Sequence, residues 1–303
     1  MNNNYILINN RYILGKQLGI GSFGEIFVGI DKTLPTDDPD KLVAIKLEHR
    51  KKEVHLLKVE ADYYRYLYKE NKGIPKIYWS GIQDDYNILI IQMLGPNLDN
   101  LMSICGHSLT LKTVAILAQE IIQKIQYVHS RGVIHRDIKP ENFLIGLHSN
   151  EIYVVDFGLC KFFKKPDNSH IPMVTNKKMV GTIRYTSLNS HEGKELSRRD
   201  DLESIGYMLI YFLKGKLPWQ GLCQKELARD EKYRLIYECK NNTTTEQLCQ
   251  GLPTEFKVYM DYVKSLGFAE RPNYNYLYNL FTQLFKKKNF VYDDQFDWSH
   301  LKK

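Results

Sequence analysis

The sequence predicts an α+β fold with a small, strand-rich N-terminal part that contains one main helix and a larger, mostly helical C-terminal part. Residues 12–47 and 77–92 carry Ile, Val, Tyr and Phe in short runs broken by Gly, Pro and Asp, as strands and turns do. Between them, residues 51–68 have apolar side chains at helical spacing. After Asn97 the pattern becomes helical, so we expect the boundary near Met93–Pro96.

Two segments of the C-terminal part carry the clearest helical patterns. Residues 201–213 are apolar on nearly every side, which predicts a buried central helix. In the other segment, apolar residues recur at the i, i+3, i+4, i+7 spacing of a helix packed on a core. These residues are Val114, Leu117, Ala118, Ile121, Ile125 and Val128.

Composition excludes several classes of protein. The 303 residues include 42 Lys and Arg against 35 Asp and Glu, a net charge of +7 that favours anionic partners. The basic run at 286–288 lacks a groove-reading motif, so we expect no nucleic-acid partner. Five scattered cysteines without a CxxC pair argue against a disulfide framework or a zinc site and favour a reducing compartment.

The chain has neither a leader pattern nor an apolar run long enough to span a bilayer. We therefore expect no membrane anchor and a cytoplasmic location, with the nucleus as the alternative. A monomer is the default expectation for its oligomeric state.

A glycine-rich segment near the N-terminus matches the pattern GxGxxG, as Gly19-Ile20-Gly21-Ser22-Phe23-Gly24. By itself this pattern fits a dinucleotide-binding turn, a flexible cover over phosphates or an ordinary hairpin turn. A dinucleotide site needs a helix directly afterwards, but residues 25–30 alternate like a strand, and Pro35 and Pro39 oppose a helix. A dinucleotide-binding turn is therefore disfavoured, and a flexible glycine segment that covers bound phosphates is the preferred interpretation.

A lysine follows in a strand that is otherwise suited to burial, Val43-Ala44-Ile45-Lys46. A buried cation is costly unless anions accompany it, here nucleotide phosphates and a carboxylate. Glu60 is the candidate carboxylate, since Tyr64 and Leu67 place it beside the inward face of the predicted helix. An exposed glutamate on that helix is the alternative.

Two polar motifs carry the chemistry: one spans His135–Asn142 and the other is Asp156-Phe157-Gly158. Phosphoryl transfer mainly requires a protein to position groups and neutralise charge. Asp137 can orient a substrate hydroxyl and accept its proton. Asn142 and Asp156 offer the oxygen ligands that Mg²⁺ prefers. Lys139 can reach the transferring phosphoryl group, and Lys46 can hold the other phosphates.

The order of these motifs matches the protein kinase signature, and the chain resembles the casein kinase 1 family of eukaryotic protein kinases. Where ordinary kinases carry Ala-Pro-Glu, this chain has Ser187-Leu188-Asn189, close to the Ser-Ile-Asn of that family. The resemblance covers about Tyr12 to Leu301. Further matches are Leu94-Gly95-Pro96, Ser197–Ser204, Leu217–Leu222 and Phe296-Asp297-Trp298.

The resemblance implies a single bilobal kinase domain over residues 1–303, with the N-lobe and hinge at about 12–94 and the C-lobe at 95–301. It implies ATP with Mg²⁺ as cofactors, and Ser or Thr acceptors. Asp201 should steady the catalytic loop, and the catalytic residues would be Asp137, Lys139, Lys46 and Glu60. Cofactor-binding residues would be Gly19, Ile20, Gly21, Ser22, Phe23, Gly24, Ala44, Lys46, Ile91, Gln92, Met93, Leu94, Asn142, Leu144 and Asp156, with adenine bound mainly through backbone groups of Met93 and Leu94.

The protein substrates are expected to be acidic or already phosphorylated upstream of the acceptor. Residues 159–186 contain six basic residues against Asp167 alone, an excess that attracts phosphate, although a solvated basic loop is the alternative. By resemblance, Arg184 and Lys232, with Lys177 and Arg229 nearby, form an anion site that reads a phosphate three residues before the acceptor.

Two other functions are alternatives to an active kinase. A pseudokinase that only binds partners would normally lose Lys46, Asp137, Asn142 or Asp156, and all four are present. An oxidoreductase with a dinucleotide cofactor conflicts with the strand after the glycine segment. By resemblance we also expect constitutive activity, since the long C-terminal tail through which family members restrain themselves should be absent. Thr175, Thr182 and Thr186 could accept phosphate, but we assign no regulatory role to such a modification.

Overall fold

The structure is a computed structural model that describes residues 5–21, 24–70, 72–222 and 228–301. The chain forms two compact units: one runs up to Pro96 and includes Leu144–Leu159, and the other comprises Asn97–Phe143 and the residues from Cys160 onward. The chain first passes from one unit to the other after Pro96, at the boundary expected near Met93–Pro96. Residues 144–159, which the sequence pattern left with the larger part, join the smaller unit because their strands pair with its last strand.

The first unit contains a six-stranded antiparallel sheet in the order β1-β2-β3-β4-β6-β5. Its strands are β1 (Leu7–Ile8), β2 (Tyr12–Ile20), β3 (Glu25–Asp31), β4 (Leu42–His49), β5 (Ile77–Gln83) and β6 (Tyr86–Gln92). Helix α1 (Leu57–Leu67) lies between β4 and β5 in the chain. A strand-rich N-terminal part with one main helix is thereby confirmed.

The alternation of side chains along β4 gives its two faces different roles. Val43, Ile45 and Leu47 are buried in an apolar cluster with Ile88 and Ile90 of β6. Because successive residues of a strand point to opposite faces, Ala44 and Lys46 lie on the other face.

The prediction that α1 begins near Lys51 was wrong, since the helix begins at Leu57. The first N–H groups of a helix need acceptors from outside the helix. Here Glu48 of β4 supplies one: its Oε1 accepts hydrogen bonds from the backbone N–H of Leu56 at 3.0 Å and Leu57 at 3.3 Å. A carboxylate at this end also complements the helix dipole, so Glu48, eight residues before Leu56, helps to fix where the helix starts.

A three-stranded sheet in the order β10-β9-β7 connects the two segments of the first unit. It consists of β7 (Leu94–Asn97), β9 (Phe143–Gly146) and β10 (Ile152–Val154).

The second unit is mostly helical, as the sequence predicted. In it, α3 packs against α5 and α9, and α5 also packs against α8. A short antiparallel pair, β8 (Val133–Ile134) and β11 (Lys161–Phe162), lies beside them. The helices are α2 (Leu98–Ile104), α3 (Leu111–Ser130), α4 (Leu188–His191), α5 (Arg198–Lys214), α6 (Arg229–Asn242), α7 (Thr245–Cys249), α8 (Thr254–Ser265) and α9 (Tyr274–Lys287).

Both helices read most clearly from the sequence are confirmed. All six apolar residues named for the first pattern are buried in α3, and α5 is buried continuously from Asp200 to Phe212. Within the described ranges, no helix has the length and apolar composition needed to cross a membrane. The four cysteines that the structure describes, Cys105, Cys160, Cys239 and Cys249, are free thiols.

Candidate active site

The glycine-rich segment joins two paired strands. Gly19 pairs with Ile26 across β2 and β3, and the Gly21 N–H donates to the Gly24 carbonyl oxygen at 2.7 Å. A side chain at Gly24 would collide with the carbonyl oxygen of Leu47, so only glycine fits there. Ser22 and Phe23 lie outside the described residues. The strand that directly follows the segment excludes the helix that a dinucleotide-binding turn requires.

Lys46 lies between two carboxylates of the first unit. Its Nζ is 2.7 Å from Glu60 Oε2 and 3.7 Å from Asp156 Oδ1. Lys46 is 8% exposed and Glu60 only 2%. Burial opposes the charged form of Lys46, but Glu60 and Asp156 outweigh it and raise the pKa of the ammonium group. Burial also raises the pKa of Glu60 to about 7, against the attraction of Lys46. The lysine is thus held protonated.

The Asp156-Phe157-Gly158 motif is attached to α1 through Tyr64. The Asp156 N–H donates to the Tyr64 hydroxyl at 3.2 Å. The rings of Tyr64 and Phe157 meet edge to face, with their centroids 4.9 Å apart. Asp156 has a left-handed backbone with φ of 66°, an uncommon conformation that its surroundings must maintain. The helix that carries Glu60 therefore also positions Asp156.

The segment expected to bind adenine runs from the end of β6 into β7. Ala44 and Ile91 pair across β4 and β6. Gln92 and Met93 line a cavity of about 200 Å³, and Leu42 and Tyr153 are among the other residues that line it.

Two more residues named for nucleotide binding lie on the three-stranded sheet. Leu94, on β7, is buried, and Leu144, on β9, is partly buried. Both are apolar, as a surface that packs against a base requires.

In the second unit, Asp137 is the centre of a hydrogen-bonded cluster. It is 4% exposed, and its Oδ2 is 2.7 Å from Lys139 Nζ. Asn142 donates from Nδ2 to the Asp137 carbonyl oxygen at 2.8 Å. The structure therefore brings Asp137, Lys139 and Asn142 together, and the amide oxygen of Asn142 is the atom that can meet a cation.

Asp201 holds the backbone just before Asp137. Its carboxylate accepts hydrogen bonds from the N–H of His135 at 2.7 Å and of Arg136 at 2.8 Å, and it lies 2.8 Å from His129 Nε2. Arg136 has a left-handed backbone with φ of 68°. Burial opposes ionisation of Asp201, but these hydrogen bonds and the nearby histidines lower its pKa overall. The charged carboxylate of Asp201, on α5, thus fixes the backbone of His135 and Arg136.

Thr182 is a contact that the sequence pattern did not indicate. Its N–H and its hydroxyl both donate to Asp137 Oδ1, at 2.9 Å and 2.8 Å. The preceding Gly181 has φ of +90°, and a side chain there would collide with the carbonyl oxygen of Arg136. In the sequence, this contact is marked only by the pair Gly181-Thr182. That pair becomes informative only when the folded chain brings it next to Asp137.

The Ser187-Leu188-Asn189 motif ties its segment to α5. The Ser187 hydroxyl and the Asn189 amide both donate to Asp200 Oδ1, at 2.7 Å and 2.9 Å. The Leu188 N–H donates to Glu203 Oε1 at 3.1 Å. Its polar side chains explain why serine and asparagine occupy this segment, because each reaches the same buried carboxylate.

Arg184 is half-buried among aromatic rings. Its guanidinium carbon lies 5.6 Å from the ring centroid of Tyr185 and 5.4 Å from that of Tyr211. Its Nη1 also donates to the Tyr185 hydroxyl at 3.3 Å. Aromatic rings and a hydroxyl group around a guanidinium favour its charged form and restrict its orientation.

Of the other three residues of the expected anion site, Lys177 lies in a loop, and Arg229 and Lys232 lie on α6. Lys177 is 3.5 Å from Glu195 Oε2, which Lys161 also approaches at 2.8 Å. Arg229 donates from Nε to the Tyr233 hydroxyl at 3.0 Å, and Lys232 lies one turn after it in α6.

Asp156, in the first unit, and Asn142, in the second, each carry an oxygen donor of the kind that Mg²⁺ prefers. Asp156 offers a carboxylate and Asn142 an amide oxygen, and Mg²⁺ typically takes only one or two protein ligands beside substrate phosphates and water. In the part of the chain that the structure describes, no group of three or more His, Cys, Asp or Glu side chains could hold a metal ion.

The sequence matches a model of a known protein family. A family model described as the protein kinase domain matches residues 12–284. The match includes the glycine-rich segment, Lys46, Glu60, the Asp137 cluster and Asp156. The chain therefore belongs to the protein kinase domain family.

Proposed function

We propose that this protein kinase is a Ser/Thr kinase of the casein kinase 1 type, which transfers the γ-phosphate of ATP, with Mg²⁺, to hydroxyls in acidic or phosphate-primed proteins. Its family membership implies ATP as the phosphoryl donor. The observation that carries the chemistry is the buried Asp137 with Lys139 at 2.7 Å. Location in the cytoplasm or nucleus stays a prediction.

Each cluster has a definite task in this proposal. Asp137 orients the acceptor hydroxyl and receives its proton, while Lys139 offsets negative charge next to it. Lys46, kept protonated by Glu60 and Asp156, binds phosphate oxygens that are not transferred. Asn142 and Asp156 would hold Mg²⁺, which when bound neutralises charge on the phosphates.

The choice of Ser and Thr as acceptors rests on the resemblance to casein kinase 1. Its most specific part, Ser187-Leu188-Asn189, makes the contacts with Asp200 and Glu203 described above. Those contacts account for a motif that differs from the Ala-Pro-Glu of ordinary kinases.

The preference for anionic substrates is supported by the position of Arg184. Among the residues that the structure describes, no carboxylate forms an ion pair with Arg184, and its closest partners are the rings of Tyr185 and Tyr211. Glu141 acts on Arg184 through its charge but forms no ion pair with it. An arginine that is held by aromatic contacts rather than by an ion pair can bind a phosphate with charge-assisted hydrogen bonds.

A peptide experiment tests this preference. The rate constant kcat/KM is measured for two peptides that differ only in a phosphoserine three residues before the acceptor serine. We expect the wild type to prefer the primed peptide by about ten- to a hundredfold, the value of a hydrogen bond to a charged group.

Arg184→Ala should remove most of that preference. Arg234→Ala is the matched control, because Arg234 is exposed and already pairs with Glu238 at 2.8 Å. Equal kcat/KM for the two peptides in the wild type, or a preference that persists in Arg184→Ala, would contradict the proposed anion site.

A further inference from the structure

Lys240 is a lysine buried within the second unit. It lies near the end of α6 and is 1% exposed. Lys257 of the same unit, by contrast, pairs with a carboxylate near the surface. A buried ammonium group is costly unless its donors are satisfied, so Lys240 requires an explanation.

The ammonium group of Lys240 binds the backbone of one short segment. Its Nζ donates to the carbonyl oxygen of Ile183 at 2.8 Å and to that of Thr186 at 2.7 Å. It also lies over two aromatic rings, 5.2 Å from the centroid of Tyr207 and 5.1 Å from that of Trp219. Together these contacts surround the cation with electron-rich groups.

These groups favour the protonated form of Lys240. Burial lowers its pKa to about 7, and the charge of Glu203 opposes that shift. The two carbonyl oxygens and the two ring faces act in the same direction as Glu203, because each interacts better with an ammonium group than with an amine.

The side chains of Lys240 and Trp219 together form a clamp that binds the backbone of residues 183–186. The indole Nε1 of Trp219 donates to the carbonyl oxygen of Arg184 at 2.7 Å. Three carbonyl groups within residues 183–186 are therefore bound by two side chains that come from outside the segment. The rings of Tyr207 and Trp219 meet edge to face at 5.0 Å, so the two halves of the clamp support each other.

The clamped segment follows directly after Thr182, whose N–H and hydroxyl bind Asp137. It also contains Arg184, the central residue of the proposed anion site. We propose that Lys240 is a positioning residue for phosphoryl transfer: its ammonium group fixes the backbone of residues 183–186 and thereby holds Thr182 against Asp137. This inference rests on the proposed role of Asp137 as the group that receives the substrate proton.

The test uses Lys240→Met, which keeps the length of the side chain but removes its donors and charge. Steady-state kinetics are measured with ATP and with the peptide that carries phosphoserine three residues before the acceptor serine. We expect kcat to fall by about ten- to a hundredfold, the scale of a small misplacement in a catalytic site. The Kd for ATP, measured with a fluorescent nucleotide, should change by less than about twofold, since Lys240 contacts no residue named for nucleotide binding.

Lys214→Met is the matched control. Lys214 also donates to a backbone carbonyl, that of Leu248 at 2.8 Å, but this contact lies away from residues 183–186. Both variants should lose thermal stability, and only Lys240→Met should lose kcat. If Lys240→Met does not fold, Trp219→Phe takes its place, because it removes the hydrogen bond to Arg184 and should lower kcat in the same direction.

The outcomes separate this inference from the proposed function. A folded Lys240→Met, or Trp219→Phe in its place, with the kcat of the wild type would overturn the positioning role while the kinase proposal stands. An Asp137→Asn variant with the activity of the wild type would instead overturn the proposed function itself. Equal losses of kcat in Lys240→Met and Lys214→Met would show that general destabilisation is the cause, and would also overturn the inference.

Discussion

The buried ion pair between Lys46 and Glu60 gives a prediction about stability that does not depend on the assignment of any substrate. Lys46→Met retains most of the volume of the side chain and removes its charge. Glu60, which is 2% exposed, then loses the cation that lies 2.7 Å from it.

The magnitude follows from the burial. Removing one partner of a buried ion pair typically costs about 3–5 kcal/mol, because the other charge is left uncompensated. Glu60 already has a pKa of about 7 with Lys46 present, and its pKa should rise further without it. Since the pKa in the folded variant lies above the ordinary 4.5 of the unfolded chain, stability is lost as the pH rises through the folded-state pKa.

Urea unfolding at two pH values measures this effect. We expect Lys46→Met to be less stable than the wild type by about 3–5 kcal/mol at about pH 8, and by clearly less at about pH 6, where Glu60 can take up a proton. The double variant Lys46→Met, Glu60→Met should recover most of the loss, because no unpaired charge remains buried.

The surface pair of the same unit provides the control. Lys76 and Asp40 are 3.3 Å apart with side chains 47% and 43% exposed, and exposed pairs contribute at most about 1 kcal/mol. A loss in Lys46→Met that is no larger than in Lys76→Met, and that does not change with pH, would refute the reasoning.

Two further predictions concern His191 and Thr182. Burial lowers the pKa of His191 to about 3, below its ordinary value of 6.5. The stability that the neutral imidazole contributes is therefore present above pH 6.5 and is lost as the pH falls, by about 2 kcal/mol of unfolding free energy at about pH 5. A series of unfolding measurements at different pH values should show a smaller drop in His191→Gln. Thr182→Val should lower kcat by about ten- to a hundredfold through loss of a hydrogen bond to Asp137, whereas Thr182→Ser should retain it; equal kcat in both variants would argue against that contact.

Much of the fold could be predicted because the patterns are local. The strands around the glycine-rich segment and the helix α3 follow from alternation and helical spacing over neighbouring residues. The start of α1 could not be predicted, since Glu48 of a separate strand supplies the acceptor that begins it. The transfer of residues 144–159 to the first unit likewise depends on pairing between strands that are far apart in the chain.

The candidate site shows the same division. Lys46 and Glu60 could be named in advance, because a lysine in a buried strand requires a carboxylate. Lys240 could not, because a lysine in a polar helix is ordinarily exposed, and only the folded chain shows carbonyl groups from residues 183–186 around its ammonium group. Thr182 was missed for the same reason: its contact with Asp137 depends on how a distant segment folds.

The most direct measurement is transfer of the γ-phosphate of ATP to a serine peptide by the wild type and by Asp137→Asn, with ATP affinity measured in parallel. The proposed mechanism predicts transfer by the wild type, and a loss of about a hundred- to ten-thousandfold in Asp137→Asn with ATP affinity retained, the range expected for removal of a general base. A wild type that binds ATP without transferring phosphate, or an Asp137→Asn variant with undiminished turnover, would contradict it.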